Sequence, residues 1–108
     1  MNSLNSILIE GNLIADPVRT NPSKGTSMVS FTVEATRDYN QENERKTELT
    51  RVNVEVWNRT ADLCFKTLSK GRGVRVVGRV KEKDGSLIVV GESVEFKTKF
   101  DKKETARV

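Results

Sequence analysis

Residues 52–80, VNVEVWNRTADLCFKTLSKGRGVRVVGRV, decide the fold because their hydrophobic period changes twice along the stretch. At both ends valine alternates with polar residues, which is the pattern of half-buried strands. In the middle, apolar residues recur at the spacing of an amphipathic helix, at Ala61, Cys64, Phe65 and Leu68. The stretch therefore predicts a strand, a helix and a strand, with Asn58 or Thr60 capping the start of the helix and Gly71 its end.

The alternation in the first of these strands divides its side chains between two faces. The inward face carries Val52, Val54 and Val56. The outward face carries Arg51, Asn53, Glu55 and Trp57. An exposed tryptophan beside an arginine is a surface on which unpaired bases stack. The alternative is that Trp57 covers the rim of the core, and a shift of one residue in the strand assignment would bury it.

Further strands are predicted on both sides of this stretch. Apolar and polar residues alternate over residues 6–13 and residues 26–36, and the second run faces inward with Val29, Phe31, Val33 and Ala35. After a tight turn at Asp84-Gly85, residues 86–96 form the last strand. The glycines at positions 78 and 91 lie inside strands and predict bulges or bends.

The two longest connections are polar. Residues 16–25, DPVRTNPSKG, contain both prolines of the chain and predict a long surface loop. Residues 38–48, DYNQENERKTE, have no aliphatic side chain and predict an exposed excursion. The order of three strands, one helix and two strands predicts an all-β fold, a five-stranded OB-fold barrel with one α-helix between strands 3 and 4.

The composition excludes most kinds of catalytic site. The 108 residues include no histidine and one cysteine, Cys64, which excludes Ser-His triads, Cys-His pairs, histidine metal ligands and thiolate zinc clusters. The aspartates are spread over loops and turns without the spacing of a shared metal site. We expect a protein that is not an enzyme and that has no cofactor and no metal.

The net charge of +4 suits an anionic partner but is mild. Residues 97–108 hold five basic and two acidic side chains, a net +3, so residues 1–96 carry only +1. We therefore expect one OB domain over residues 1–96 and a flexible basic tail over residues 97–108. The first residues show no signal peptide and the chain has no long apolar run, so we expect a cytoplasmic protein without a membrane segment.

Eight residues are the predicted contacts to a single nucleic-acid strand. They combine aromatic rings, which stack on bases, with cations and one amide: Trp57, Tyr39, Arg51, Arg37, Arg75, Arg79, Lys81 and Asn53. For any one of the cations the alternative is a solvated surface residue, but arginines on both strands beside an outward tryptophan favour binding. For Tyr39 an ordinary position at a strand end is an equally good interpretation.

At this point the residues resemble the bacterial single-stranded DNA-binding protein family. The resemblance runs from about Asn5 to Phe96 and is carried by NSILIEGNLIADP, by KGTSMVSFTVEATRDY and above all by the stretch quoted first. It implies an OB barrel that wraps single-stranded DNA over aromatic and basic side chains during replication, recombination and repair. It also implies pairing of subunits through the first strand and a homotetramer, with a dimer as the alternative.

The resemblance is uneven at individual positions. Trp57 matches the aromatic residue that the family has late in strand 3, and Tyr39 falls near its aromatic residue after strand 2. The family's earlier aromatic of strand 3 falls at or near Arg51, and its long hairpin between strands 4 and 5 is reduced to Lys83-Asp84-Gly85. The sequence ends in basic KKETARV, so recruitment of repair and replication proteins by the family's acidic tip is not implied.

Three other functions remain open at the level of sequence. The first is a primosome-type accessory OB protein that acts mainly through protein contacts, which the short hairpin and the basic end favour. The second is an RNA-binding OB module, in which the 2′-hydroxyl would be recognised. The third is an OB-fold nuclease, for which the chain lacks a convincing carboxylate cluster.

Overall fold

The computed structural model describes residues 2–97, in which there are six strands and one helix. In chain order they are β1 (Ile7–Leu13), β2 (Val18–Thr20), β3 (Met28–Gln41), β4 (Glu44–Trp57), α1 (Asn58–Thr67), β5 (Gly73–Lys83) and β6 (Ser86–Phe96). Among these residues no helix is long and apolar enough to cross a membrane. The predicted tail falls almost entirely on residues 98–108, outside the described residues. Lys97 itself is described, and its N–H donates to the carbonyl of Gly73 at 3.0 Å.

The strands form one sheet in the order β1-β5-β6-β4-β3-β2, and a further pairing of β1 with β3 closes five of them into a barrel. All pairs are antiparallel except β4 with β6. The helix follows the third strand of this barrel and precedes the fourth. The predicted five-stranded OB-type barrel with one helix is therefore confirmed.

Most of the barrel interior consists of valines. Val29, Val33, Val54 and Val56 are buried as the alternation predicted, whereas the predicted inward residues Val52 and Ala35 are only partly buried. The side chains that are fully excluded from solvent include Val29, Val33, Val54, Val56, Val74, Val76 and Val89. Helix α1 adds Ala61 and Cys64, and its C-cap residue adds Leu68. Burial raises the pKa of the Cys64 thiol to about 11. Phe65 does not pack in the core with the other apolar residues of the helix, as its spacing had predicted. Its ring is 43% exposed and lies 5.5 Å from the guanidinium carbon of Arg19.

The two predicted loops contain more structure than their sequences suggested. The first includes the short strand β2, which pairs with the beginning of β3. The second, residues 38–48, is exposed as predicted, but it is a paired hairpin and not a loop. Strand β3 extends to Gln41 and β4 begins at Glu44. Glu42 and Asn43 form its turn with φ of 51° and 66°. We call this protruding hairpin, residues 36–49, the arm.

The predicted helix caps were wrong. The N-cap is Trp57, which makes no capping side-chain bond, and the side chain of Asn58 accepts from the N–H of Ser27 on the opposite strand end at 3.4 Å. The helix ends at Thr67 with Leu68 as C-cap. Gly71 follows in the next turn, where φ is +89° and its N–H donates to the carbonyl of Leu13. A tertiary partner, the carbonyl of Ser27, therefore accepts from the N–H of Asn58 at the start of the helix, whereas at its end the N–H of Leu68 donates locally to the carbonyl of Cys64.

The β5–β6 hairpin bends where the two strand glycines meet, as predicted. Gly78 faces Gly91, and the register shifts between Val77 and Gly78 in the manner of a β-bulge. A Cβ atom on Gly78 would lie 1.9 Å from the carbonyl oxygen of Val90. The side chain of Asn5 holds the next part of β5 through two hydrogen bonds, to the N–H and the carbonyl of Val80.

This close approach makes Gly78 irreplaceable. We expect Gly78→Ala to lower the free energy of unfolding by about 3 kcal/mol, at the upper end of overpacking, because backbone atoms would have to move. Gly73→Ala in the same strand is the control, since the added Cβ meets only the flexible side chain of Lys97, and its effect should stay below about 1 kcal/mol. Urea unfolding followed by circular dichroism at one protein concentration measures both. If both variants lost the same free energy of unfolding, the close contact between Gly78 and the Val90 carbonyl would not be the reason that position 78 requires glycine.

Candidate nucleic-acid interface

The outward side chains of β3, β4, β6 and β5 lie side by side on one surface, which we call the outer face. The β3–β4 register sets Met28, Ser30, Thr32 and Glu34 opposite Trp57, Glu55, Asn53 and Arg51. On the other side of β4, Glu55 neighbours Val90 of β6, and β6 in turn sets Val90, Ile88 and Ser86 opposite Arg79, Lys81 and Lys83 of β5. The outer face therefore brings together five of the eight predicted contacts: Trp57, Arg51, Asn53, Arg79 and Lys81.

A groove of about 490 Å³ crosses the middle of the outer face. Its floor is the β3–β4 ladder around Thr32 and Asn53, and one wall is the tip of the β5–β6 hairpin with Lys83 and Asp84. The β1–β2 connection, with Asp16, lines it as well. The groove is open and lined by both polar and apolar groups, which suits an extended strand that carries bases and phosphates.

Trp57 lies at the end of this face with its ring partly exposed. Val54 and Val56 are fully buried, so the shift of one residue that would have buried Trp57 does not occur. The backbone is extended at Trp57 (φ −127°, ψ 148°), and the next residue is fixed by the bond from the N–H of Asn58 to the carbonyl of Ser27 at 2.8 Å. The ring is therefore held on a rigid strand end and not on a loop.

Arg51 and Asn53 are both hydrogen-bonded across the ladder in the free protein. The guanidinium of Arg51 donates to the carboxylate of Glu34 at 2.9 Å, with the Arg51 side chain 62% exposed. The hydroxyl of Thr32 donates to the side-chain oxygen of Asn53 at 2.8 Å. The pair with Glu34 fixes the plane of the guanidinium, and a fixed plane favours stacking.

Glu55 differs from its neighbours on the outward side of β4. It faces outward as the alternation predicted, but it is only 6% exposed, and the ammonium of Lys83 lies against its carboxylate. This contact raises the pKa of Lys83, first through the hydrogen bond and then through the opposite charge.

Arg79 and Lys81 lie across β6 from the groove floor. The guanidinium of Arg79 is 2.9 Å from the carboxylate of Glu92, on the opposite strand of the same hairpin. Lys81 has no carboxylate within salt-bridge distance among residues 2–97. Of the predicted cations on the outer face, Lys81 is therefore the one without a carboxylate partner in the part of the chain that the structure describes.

Arg75 does not join this site. It points outward, but its guanidinium lies 3.7 Å from Glu10 of β1 and 3.6 Å from Glu95 of β6. The β4–β6 pairing covers only Val54 and Glu55 of β4, so Arg75 lies beyond the end of that ladder. Its cross-strand partner Glu10 has a lowered pKa, chiefly through its hydrogen bond with Lys97 and further through Arg75.

Tyr39 and Arg37 lie in the arm, on the opposite face of the β3–β4 ribbon from Trp57. Their register partners are Lys46 and Glu48, whereas the outer-face positions of the arm pair Asp38 with Thr47. The guanidinium carbon of Arg37 lies 4.7 Å from the centre of the Tyr39 ring, so the two side chains form a cation–π pair. The structure thus brings them to each other but not to the outer face.

Sequence reasoning missed three residues of this surface. Leu49 is 56% exposed and lies two positions before Arg51 on the same side of β4, and Lys83 and Thr32 line the groove. Strand parity pointed to Leu49 and Lys83, because they continue the outward series of β4 and β5. The contact of Lys83 with Glu55 of β4 joins residues that are 28 positions apart, and no sequence pattern pointed to it.

The described residues contain no group of three or more acidic or cysteine side chains that could hold a metal ion. A second cavity, of about 440 Å³, lies at the start of α1 beside Arg19, Asn58 and Arg59. Within it, Arg19 is already bound to Asp62 at 3.0 Å.

Comparison with known proteins agrees with this geometry. The model of the single-strand binding protein family matches residues 4–86. Single-stranded DNA-binding protein 2 of Chlorobaculum tepidum is 34% identical over 99 residues, which are 85% of this chain and 67% of that protein. The single-stranded DNA-binding protein of Caldanaerobacter subterraneus subsp. tengcongensis is 33% identical over 79 residues, 72% of this chain and 51% of that protein.

Two solved structures share the fold. A deletion mutant of the single-stranded DNA binding protein from Thermus aquaticus has a TM-score of 0.78 at 22% identity, over 89% of this chain and 51% of that one. The Plasmodium falciparum single-strand binding protein in complex with single-stranded DNA has a TM-score of 0.79 at 21% identity, over 91% of this chain and 98% of that one. The family match over most of the barrel, together with relatives above 30% identity, shows that the chain belongs to the single-strand binding protein family.

Proposed function

We propose that the protein binds single-stranded DNA with little sequence preference and protects it during replication, recombination and repair. The observation that carries the proposal is the outer face, where Trp57, Arg51 and Asn53 share the outward side of β4. Asn53 lines a groove that is walled by the tip of the β5–β6 hairpin. Relatives that are named for single-stranded DNA binding support it. The chain spans two thirds of the first of these relatives and about half of the second, so the activity of a whole relative is not carried over in full.

In this mechanism, rings and planar cations bind bases while the remaining cations bind phosphates. Trp57 stacks on one base and Arg51 on another, and the exposed Leu49 extends the apolar surface towards the arm. Asn53 offers its amide group to base edges. Arg79 and Lys81 neutralise phosphates and release their counterions.

The other predicted contacts have a smaller part. Tyr39 and Arg37 would touch a strand only if that strand passed around the edge of the arm to its other face. Arg75 is engaged by two carboxylates away from the groove, so we assign it no phosphate. In this proposal the protein binds DNA without cleaving or otherwise altering it.

We further propose a homotetramer that is built on pairing of β1. Between Ile7 and Gly11, β1 pairs with β5 on one edge, while its pairing with β3 is limited to Asn12 and Leu13. Among residues 2–97 the opposite edge of β1 therefore has no strand partner from Ile7 to Gly11, and such an edge can pair with a second copy. Leu8 and its cross-strand neighbour Val77 are 63% and 39% exposed, which adds apolar surface beside that edge.

Sedimentation equilibrium distinguishes the oligomeric states. A mass of about four chains is expected, and replacement of Leu8 by Lys should reduce it, because a charge would then lie beside the paired edge. A stable dimer in the unmodified protein, combined with weak DNA binding, would favour the accessory OB protein instead.

The contribution of Trp57 is tested by Trp57→Ala. We expect the variant to lose about 1 to 3 kcal/mol of binding free energy for labelled oligo-dT, the usual value of one base stack. Fluorescence anisotropy measures the loss. Phe65→Ala is the matched control, since it removes an exposed aromatic ring on α1 away from the outer face, and its affinity should be unchanged. Equal affinities of the Trp57→Ala variant and the unmodified protein would remove Trp57 from the site.

The salt dependence of binding tests the phosphate contacts. For single strands the slope of log affinity against log salt is about −0.7 for each neutralised phosphate. We expect Lys81→Met to reduce the slope by about 0.7, because Lys81 has no competing partner among the described residues. Arg75→Met should leave the slope unchanged. If Arg75→Met made the slope shallower and Lys81→Met left it unchanged, DNA would instead run along the β1 side of the barrel.

Quenching of Trp57 fluorescence identifies the nucleic acid. Oligo-dT should quench it, and the effect should weaken as salt rises, while duplex DNA should have little effect because its bases are not free to stack. Stronger quenching by a matched RNA would favour an RNA-binding module. Loss of full-length oligo-dT on addition of a divalent metal would show that the protein is a nuclease.

A further inference from the structure

Glu55 is the one charged residue among residues 2–97 that is buried. It lies in the floor of the proposed DNA groove, between Ser30 of β3 and Val90 of β6. A carboxylate is an unexpected group at this place, because it repels phosphates and loses hydration when it is buried. Its environment therefore has to supply a compensating cation.

Lys83 is that cation, and it comes from the tip of the β5–β6 hairpin. The side chain of Glu55 is 8% exposed, and that of Lys83 is 43% exposed. Within residues 2–97 this is the one side-chain hydrogen bond that joins the hairpin tip, residues 81–87, to the rest of the barrel. The register shift between Val77 and Gly78 lies between this tip and the other end of the hairpin.

We propose that the Glu55–Lys83 pair is a latch, which holds the hairpin tip against β4 and withholds Lys83 from DNA phosphates. The effect on DNA rests on the proposed function, whereas the closure of the tip does not. We call the arrangement with the tip held against β4 the closed state. In it the ammonium of Lys83 forms an ion pair with the buried carboxylate of Glu55. A phosphate that took it would leave Glu55 buried and unpaired, which is strongly unfavourable.

The latch explains why the two lysines of this strand differ. Lys81 is unpaired among the described residues and free to bind the backbone of a strand, while Lys83 is bound at the groove wall. The groove next to Glu55 therefore receives bases and not phosphates. Opening the tip widens the groove and makes one further cation available.

Hydrogen exchange of the DNA-free protein tests the closure. Glu55→Gln removes the charge and keeps the size, so the amides of residues 81–87 should exchange several-fold faster. Glu55→Gln combined with Lys83→Gln should give the same increase. Glu92→Gln is the control, because it breaks an ion pair inside the hairpin and not one to β4. Unchanged exchange at the tip in both Glu55 variants would overturn the latch.

Oligo-dT binding tests the consequence for DNA. Glu55→Gln should steepen the salt slope by about 0.7, equal to one more phosphate contact, which amounts to roughly eight-fold tighter binding at about 50 mM salt if affinities coincide at about 1 M. The double variant, with both side chains replaced by Gln, should return to the unmodified slope, because Lys83 neutralises no phosphate in the closed protein.

The alternatives give different slopes. If Lys83 already contacts DNA, the slope of the double variant will be about 0.7 shallower than that of the unmodified protein, and the latch is wrong. Weaker binding by Glu55→Gln also overturns it, since Glu55 would then only position the hairpin for binding. If the unmodified protein binds no single strand, the proposed function fails, and the exchange experiment alone decides whether the tip is held closed.

Discussion

The antiparallel ladder between β3 and β4 pairs Met28 with Trp57 at one end and Gln41 with Glu44 at the other. Its register determines which side chains enter the barrel and which remain outside, because side chains alternate strictly along a strand. One set of positions supplies Val54 and Val56 to the core, and the other supplies Asn53 and Trp57 to the outer face. A change in the β3–β4 register would therefore alter the core and the candidate binding surface together.

The same ladder explains why the arm does not simply extend the outer face. The alternation continues without interruption to the turn at Glu42 and Asn43, so Tyr39 falls on the face that would enter the core if the barrel reached that far. Beyond the barrel that face is open to solvent, and Arg37 covers the Tyr39 ring there. Aromatic residues that a sequence comparison would group together are thus assigned to different faces by parity.

Charge on this protein is organised in pairs and not as a basic field. Arg51 and Arg79 each have a carboxylate partner at 2.9 Å, and Lys83 is bound by Glu55. Exposed pairs of this kind contribute little to stability, so a phosphate can replace the carboxylate at low cost. The pair of Glu55 with Lys83 is different because the Glu55 side chain is only 8% exposed to water. The net charge of +4 therefore overstates how many unpaired cations one surface offers to DNA. It also does not show which cations would leave their carboxylate partners first.

The sequence by itself determined the strands, the helix, the inward valines and the outward position of Trp57, because a period of two or of 3.6 residues is a local property. It did not determine the helix caps, the arm as a paired hairpin, the exposure of Phe65 or the burial of Glu55. Asn58 bonds to Ser27 and Lys83 reaches Glu55 only because the barrel brings together residues that are 31 and 28 positions apart. Such partners are set by strand pairing and register, which are properties of the closed sheet. The tertiary structure therefore decided which of the predicted cations share a surface and which of them are already bound.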